Sequence, residues 1–223
     1  IRHTDGGPGT LWFSDQTFLK ALQGDGSLSG QLRSLPLEVT FDSITLNKGF
    51  VRFAAEGSVV NVTGDVTVNG ENARLEMGGD VTSERTRNPE YNSGKLPTHL
   101  NVGGDLRLVG GGRLDVRSAM TNSVGGADGA YGAFVDVAGT IDVGEGSSVY
   151  VWSDVETGCS PLLRAKNILV AEGAKVSADE RGFGAGWCYA QNSQRLYCGY
   201  GPGADKLGYA YGARDVAGGG HGG

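Results

Sequence analysis

Apolar and polar residues alternate in short runs between residues 37 and 178, and the runs recur. The clearest pair lies in 134–178, where FVDVAGTIDVGEGSSVYVW is followed, after an interruption, by NILVAEGAKVSA. At an offset of 27, Ile141 falls on Ile168, Val143 on Val170, Gly146 on Gly173 and Val149 on Val176. Period-two alternation predicts strands with one buried and one wet face. Its return at a fixed phase, turns included, predicts a stacked repeat.

Five repeats are read, at 37–54, 60–77, 100–117, 135–152 and 162–178, each holding three short strands. The first strand stacks Val39 or Phe41 on Val60/Val62, Leu100/Val102 and Val135/Val137. The second stacks Ile44/Leu46, Val66/Val68, Leu106/Leu108, Ile141/Val143 and Ile168/Val170. The third stacks Val51/Phe53, Leu75/Met77, Leu114/Val116, Val149/Val151 and Val176/Ala178. Ser43, Asp65, Asp105, Thr140 and Asn167 stand at the first turn, where small polar side chains bond backbone at the bend. The second turn reads NKG, NGEN, GGG, GEG or AEG, with glycine to supply positive φ.

The expected fold is all-β, a right-handed parallel β-helix, with residues 1–36 as an N-terminal cap or the end of a preceding coil. Residues 37–178 form five coils, and 179–223 a Gly/Tyr-rich loop and tail. The rival is an antiparallel β-sandwich, which also has many short strands; the hand is a fold-level expectation. Within the cap, 10–22 reads as a strand followed by an amphipathic turn or helix, and 24–36 as loop. Insertions at 78–99, 118–134, 153–161 and from 179 all follow the third strand, so they gather along one edge. Repeat proteins use such edges for contacts; the plainer alternative is that loops are tolerated there.

Composition narrows the function. Forty glycines without a strict triplet exclude collagen. A net charge of −6 argues against nucleic acid as partner, and no apolar run approaches a membrane span. The chain begins at Ile1 and stops within a glycine run, as expected of a processed chain or a piece of a longer one.

The run LNVGGDLRLVGGGRLDVRS (100–118) resembles the passenger repeats of autotransporters and polymorphic outer-membrane proteins. The tail at 199–223 is similar to glycine-rich stretches beside such repeats in very large cell-surface proteins. The GGAI and FxxN signatures of the polymorphic proteins are absent. The resemblance implies extracellular exposure and an adhesive or structural role, with no catalytic residues to carry over.

Several residues could carry chemistry. Outward carboxylates fall at Glu76, Asp115, Asp136 and Asp142, and Glu76 and Asp115 lie on neighbouring repeats of the third strand. They are the candidates for a carboxylate pair of a glycan-active enzyme, against the ordinary reading of solvated surface charge. Trp187, Tyr189, Tyr197 and Tyr200 could bind sugar faces or protein, or fold back over the last repeat. Cys188 and Cys198 could close a disulfide, with Cys159 left over; the alternative is three free thiols. Asn61-Val62-Thr63 is a glycosylation sequon with Asn61 outward. No metal cluster is read, and no cofactor is expected beyond calcium in loops such as 126–129 or 153–157.

The leading expectation is an extracellular, non-enzymatic structural or adhesive module of a larger surface protein or filament. Its partners would be other surface subunits, further copies or glycans. A β-helical polysaccharide lyase or glycoside hydrolase, or a carbohydrate-binding module, are the alternatives.

Overall fold

The computed structural model describes residues 21–24, 29–32, 38–53, 57–78, 96–119, 131–154, 159–179, 185–189 and 195–199. They are all-β, with parallel strands in two large sheets and no helix among the described residues. No described helix is therefore long and apolar enough to cross a membrane.

The strands run in chain order as β1 (Ala21–Gly24), β2 (Ser29–Leu32), β3 (Glu38–Phe41), β4 (Ser43–Leu46) and β5 (Gly49–Phe53). Then come β6 (Val59–Val62), β7 (Val66–Asn69), β8 (Ala73–Met77), β9 (Thr98–Val102), β10 (Leu106–Val109) and β11 (Arg113–Arg117). Next are β12 (Tyr131–Val143), β13 (Ser148–Trp152), β14 (Ser160–Val170) and β15 (Lys175–Ser177), and last β16 (Ala185–Tyr189) and β17 (Arg195–Gly199).

From β1 to β15 each strand pairs in parallel with the strand one repeat away, and the register is that of the sequence repeat. Val39 pairs with Val60, Val60 with Leu100 and Leu100 with Val135. Ile44 pairs with Val66, Val66 with Leu106, Leu106 with Ile141 and Ile141 with Ile168. Val51 pairs with Leu75, Leu75 with Leu114, Leu114 with Val149 and Val149 with Val176. These positions merge into one buried apolar cluster from Val39 to Val149, with Phe41 and Phe53 edge-to-face inside it. Like side chains stacked at strand spacing, about 4.8 Å, form continuous columns.

The turns work as their residues dictate. Gly49, Gly70, Gly110, Gly111, Gly146 and Gly173 have positive φ at the second turn, where a β-carbon would be strained. At the first turn the Asp65 carboxylate accepts from the Asp105 backbone N–H at 2.8 Å, and Asp105 from that of Thr140 at 2.8 Å. Gly139 makes this second bond possible, because a β-carbon there would stand 2.1 Å from Asp105 Oδ1.

Three local expectations are corrected. In the last two repeats the first and second strands are one strand each, β12 and β14, and β12 opens at Tyr131, inside the expected 118–134 insertion. Residues 24–36, read as loop, contain β2, and β1 begins in the last two residues of the expected turn or helix and ends at the first residue of that loop. These strands pair in parallel with β5 and β4 and so prolong the two stacks by one level. Long-range pairing overrides local turn composition there. The expected C-terminal loop contains the antiparallel hairpin β16–β17.

Candidate functional site

Residues alternating with the core positions form files across the repeats, one residue per strand. Two faces matter, and both are generated by the register.

On the β5–β8–β11–β13–β15 face, one file runs Phe50, Arg74, Arg113, Ser148 and Lys175; the next runs Arg52, Glu76, Asp115, Tyr150 and Ser177. Arg117 and Trp152 pair beside them. Glu76 and Asp115 are thus neighbours on adjacent strands, as the sequence predicts. They are not solvated surface charges, however: Glu76 is 2% exposed and Asp115 fully buried. Asp115 accepts a bidentate pair of hydrogen bonds from Arg113 (2.6 and 2.8 Å), another from Arg74 Nε (2.8 Å) and one from Trp152 Nε1 (3.0 Å). Glu76 accepts from Arg117 and pairs with Arg74 Nη2 at 2.9 Å and Arg52 Nε at 3.5 Å.

The cations lie on rings. Arg113 stands over Tyr150 at 4.3 Å, Arg117 over Trp152 at 4.2 Å and Arg74 over Phe50 at 5.1 Å. A buried carboxylate survives only when paired and hydrogen-bonded, and here both conditions are met. Burial pushes the Asp115 carboxyl up. The hydrogen bonds from Arg113 and Trp152, with the Arg74 and Arg113 charges, outweigh burial and hold it below the usual carboxylate range. A general acid needs the opposite displacement.

On the β3–β6–β9–β12–β14 face, one file runs Thr40, Asn61, Asn101, Asp136 and Arg164, and its neighbour Glu38, Val59, His99, Phe134 and Leu162. Asn101 Nδ2 donates to Asn61 Oδ1 at 2.9 Å, and Asn61 Nδ2 donates to Glu38 Oε1 at 2.8 Å. Arg164 donates to both Asp136 oxygens and is 61% exposed. The His99 ring stacks on Phe134 at 4.6 Å and 11°, with Tyr131 edge-on at 6.1 Å. A shallow groove of about 550 Å³ follows the polar file, lined by Asn61, Thr63, Asn101, Gly103, Asp136 and Arg164 among others. The sequon residue Asn61 faces away from the core as predicted, but its amide nitrogen is engaged by Glu38. Asp142 sits elsewhere, paired with Arg107 and Leu169 on the β10–β12–β14 stack.

The remaining predicted residues are placed by backbone register. In the hairpin Trp187 pairs with Tyr197 and Tyr189 with Arg195; Tyr200 lies outside the described residues. Cys188 pairs with Leu196 and Cys198 with Gly186. The side chains of Cys188 and Cys198, on which the expected disulfide depends, lie outside the described residues; Cys159 is buried. The candidate calcium loop at 126–129 lies outside the described residues, as does most of 153–157. No group of three or more metal-ligating side chains converges among the described residues.

Reading the repeat for its core columns missed the arginine clamp. The signal was in the outward columns: Phe50/Arg74/Arg113 beside Arg52/Glu76/Asp115 puts cation, acid and ring within one strand step.

In comparisons with protein-family models, curated proteins and solved structures, nothing matches this chain.

Proposed function

We propose that the chain is a right-handed parallel β-helix acting as an extracellular structural or adhesive module, part of a larger surface protein or filament, without catalytic activity. One observation carries this reading. At the β14–β15 end the core columns run out into solvent: Ile168 is 51% exposed, Val170 48% and Val176 47%. Their partners one repeat earlier, Ile141, Val143 and Val149, are fully buried or nearly so. Among the described residues β14 and β15 each have a partner strand on one side only. An apolar column ending on unpaired strand edges is a template for a further level of the same structure. A second copy stacked head-to-tail would supply it, and a heterologous contact of that kind propagates.

The enzyme reading has less support, because Glu76 and Asp115 are clamped by arginine rather than poised near water. Sedimentation velocity over a concentration series tests the proposal. Growth of the wild-type chain into larger species, abolished by Ile168→Lys, is expected. A monomer at every concentration would overturn it.

A further inference from the structure

We propose that copies of this chain join end to end through two strands. In this joint β1 of an incoming copy pairs in parallel with residues 167–170 of β14, and its β2 pairs with β15. The proposal rests on the stacking proposed above and adds the strands that meet, their register and the repeat that follows.

The strand count sets the joint. Among the described residues the second position of the repeat holds six strands, β1, β4, β7, β10, β12 and β14. The third also holds six, β2, β5, β8, β11, β13 and β15. The first holds five, β3, β6, β9, β12 and β14. All these pairings are parallel, so a shift along the stack brings β1 onto β14 and β2 onto β15 without reversal. A shift of five levels would seat β3 on 162–165 but drive β1 and β2 into the places of β14 and β15. Six levels is the shortest shift that avoids this. It leaves one first-strand position at each joint that the described strands do not fill.

Exposure falls in the same places. At this end the exposed apolar residues Ile168, Leu169, Val170 and Val176 all stand at the second and third positions. At the first position Leu162, Leu163 and Ala165 are half-buried, and at the opposite end Val39 and Phe41 of β3 are buried. Charges and proline blunt sheet edges against further pairing. On β14 they are Pro161, Arg164 and Lys166, all ahead of 167–170. Residues 167–170 carry none, and neither do β1 and β2. Carrying each column one step further puts Leu22 on Ile168, Gln23 on Leu169 and Gly30 on Val176. The charged Lys175 of β15 then falls opposite the uncharged Ser29.

Cysteine cross-linking of the full chain tests this register. Within one chain, residues 23 and 169 stand five levels apart, about 24 Å at about 4.8 Å per level, beyond disulfide reach. A bond between them therefore joins two copies. The double variant Gln23→Cys with Leu169→Cys is expected to give a ladder of covalent oligomers on oxidation. Peptide mapping by mass spectrometry is expected to place the junction at 23–169, apart from any bond made by the native cysteines. The out-of-register pair, Gln31→Cys with Leu169→Cys, is expected to give no 31–169 junction. Fibres of the wild-type chain are expected to repeat axially every six levels, about 29 Å. A wild-type chain that stays monomeric at every concentration overturns the stacking reading and this inference with it. A chain that assembles without the 23–169 bond, with a 169–169 or 31–169 bond in its place, or with another axial repeat, overturns this joint alone.

Discussion

The two outward faces are built by the same parallel register, yet one is closed and the other open. On the β5–β15 side the outward file buries two carboxylates beneath arginines that rest on Phe50, Tyr150 and Trp152. On the β3–β14 side the outward file keeps its amides and charges half-exposed beside a groove. The difference lies in side-chain reach. Arginine two places from an acid on the adjacent strand spans the step and covers its partner. Asparagine reaches only side chains on the adjacent strand, Asn101 to Asn61 and Asn61 to Glu38, so the file stays accessible. The charged side chains are thus buried and clamped on one face and stay half-exposed on the other.

The sharpest way to break this comparison is to delete one carboxylate from each face. Asp115→Ala leaves Arg113, Arg74 and Trp152 with a shared acceptor removed from a buried site, and is expected to cost about 3–5 kcal/mol. Asp136→Ala removes the partner of an exposed arginine and is expected to cost less than about 1 kcal/mol. Urea denaturation of both variants decides, and equal losses would end the distinction. Next in size, Trp152→Phe keeps the ring under Arg117 but withdraws the hydrogen bond to Asp115, for an expected loss of about 1.5–3 kcal/mol in the same assay.

Acid titration sharpens the contrast further. The folded Asp115 carboxyl lies below its unfolded value of about 3.9. Its contribution is therefore fully present above that value and is lost as pH falls through the lower folded one. Asp115→Asn is expected to flatten the acid limb of the stability curve below about pH 4, where wild type declines. Asp65 is held low in the same sense, chiefly by the Asp105 backbone N–H, but it is half-exposed, and Asp65→Asn is expected to change that limb least.

The core was legible from alternation alone, because a stacked repeat writes each column several times over: Ile44, Val66, Leu106, Ile141 and Ile168 were named in register. The glycine turns were legible too, since positive φ at Gly49, Gly70 or Gly146 leaves few alternatives. The carboxylates were found but misjudged. Position says that Asp115 faces away from the core; only the lengths of Arg74 and Arg113 and the ring beneath say that it is buried. The strands β1 and β2 were hidden because four-residue segments such as SGQL carry almost no alternation, and their pairing with β5 and β4 comes from the stack beside them.

The central claim, a stacking solenoid module, is tested most directly by electron microscopy of the full chain at rising concentration. The account predicts unbranched fibres or layers with this chain as the repeating unit, lost in Ile168→Lys. Discrete single particles at every concentration, identical in wild type and variant, would contradict it.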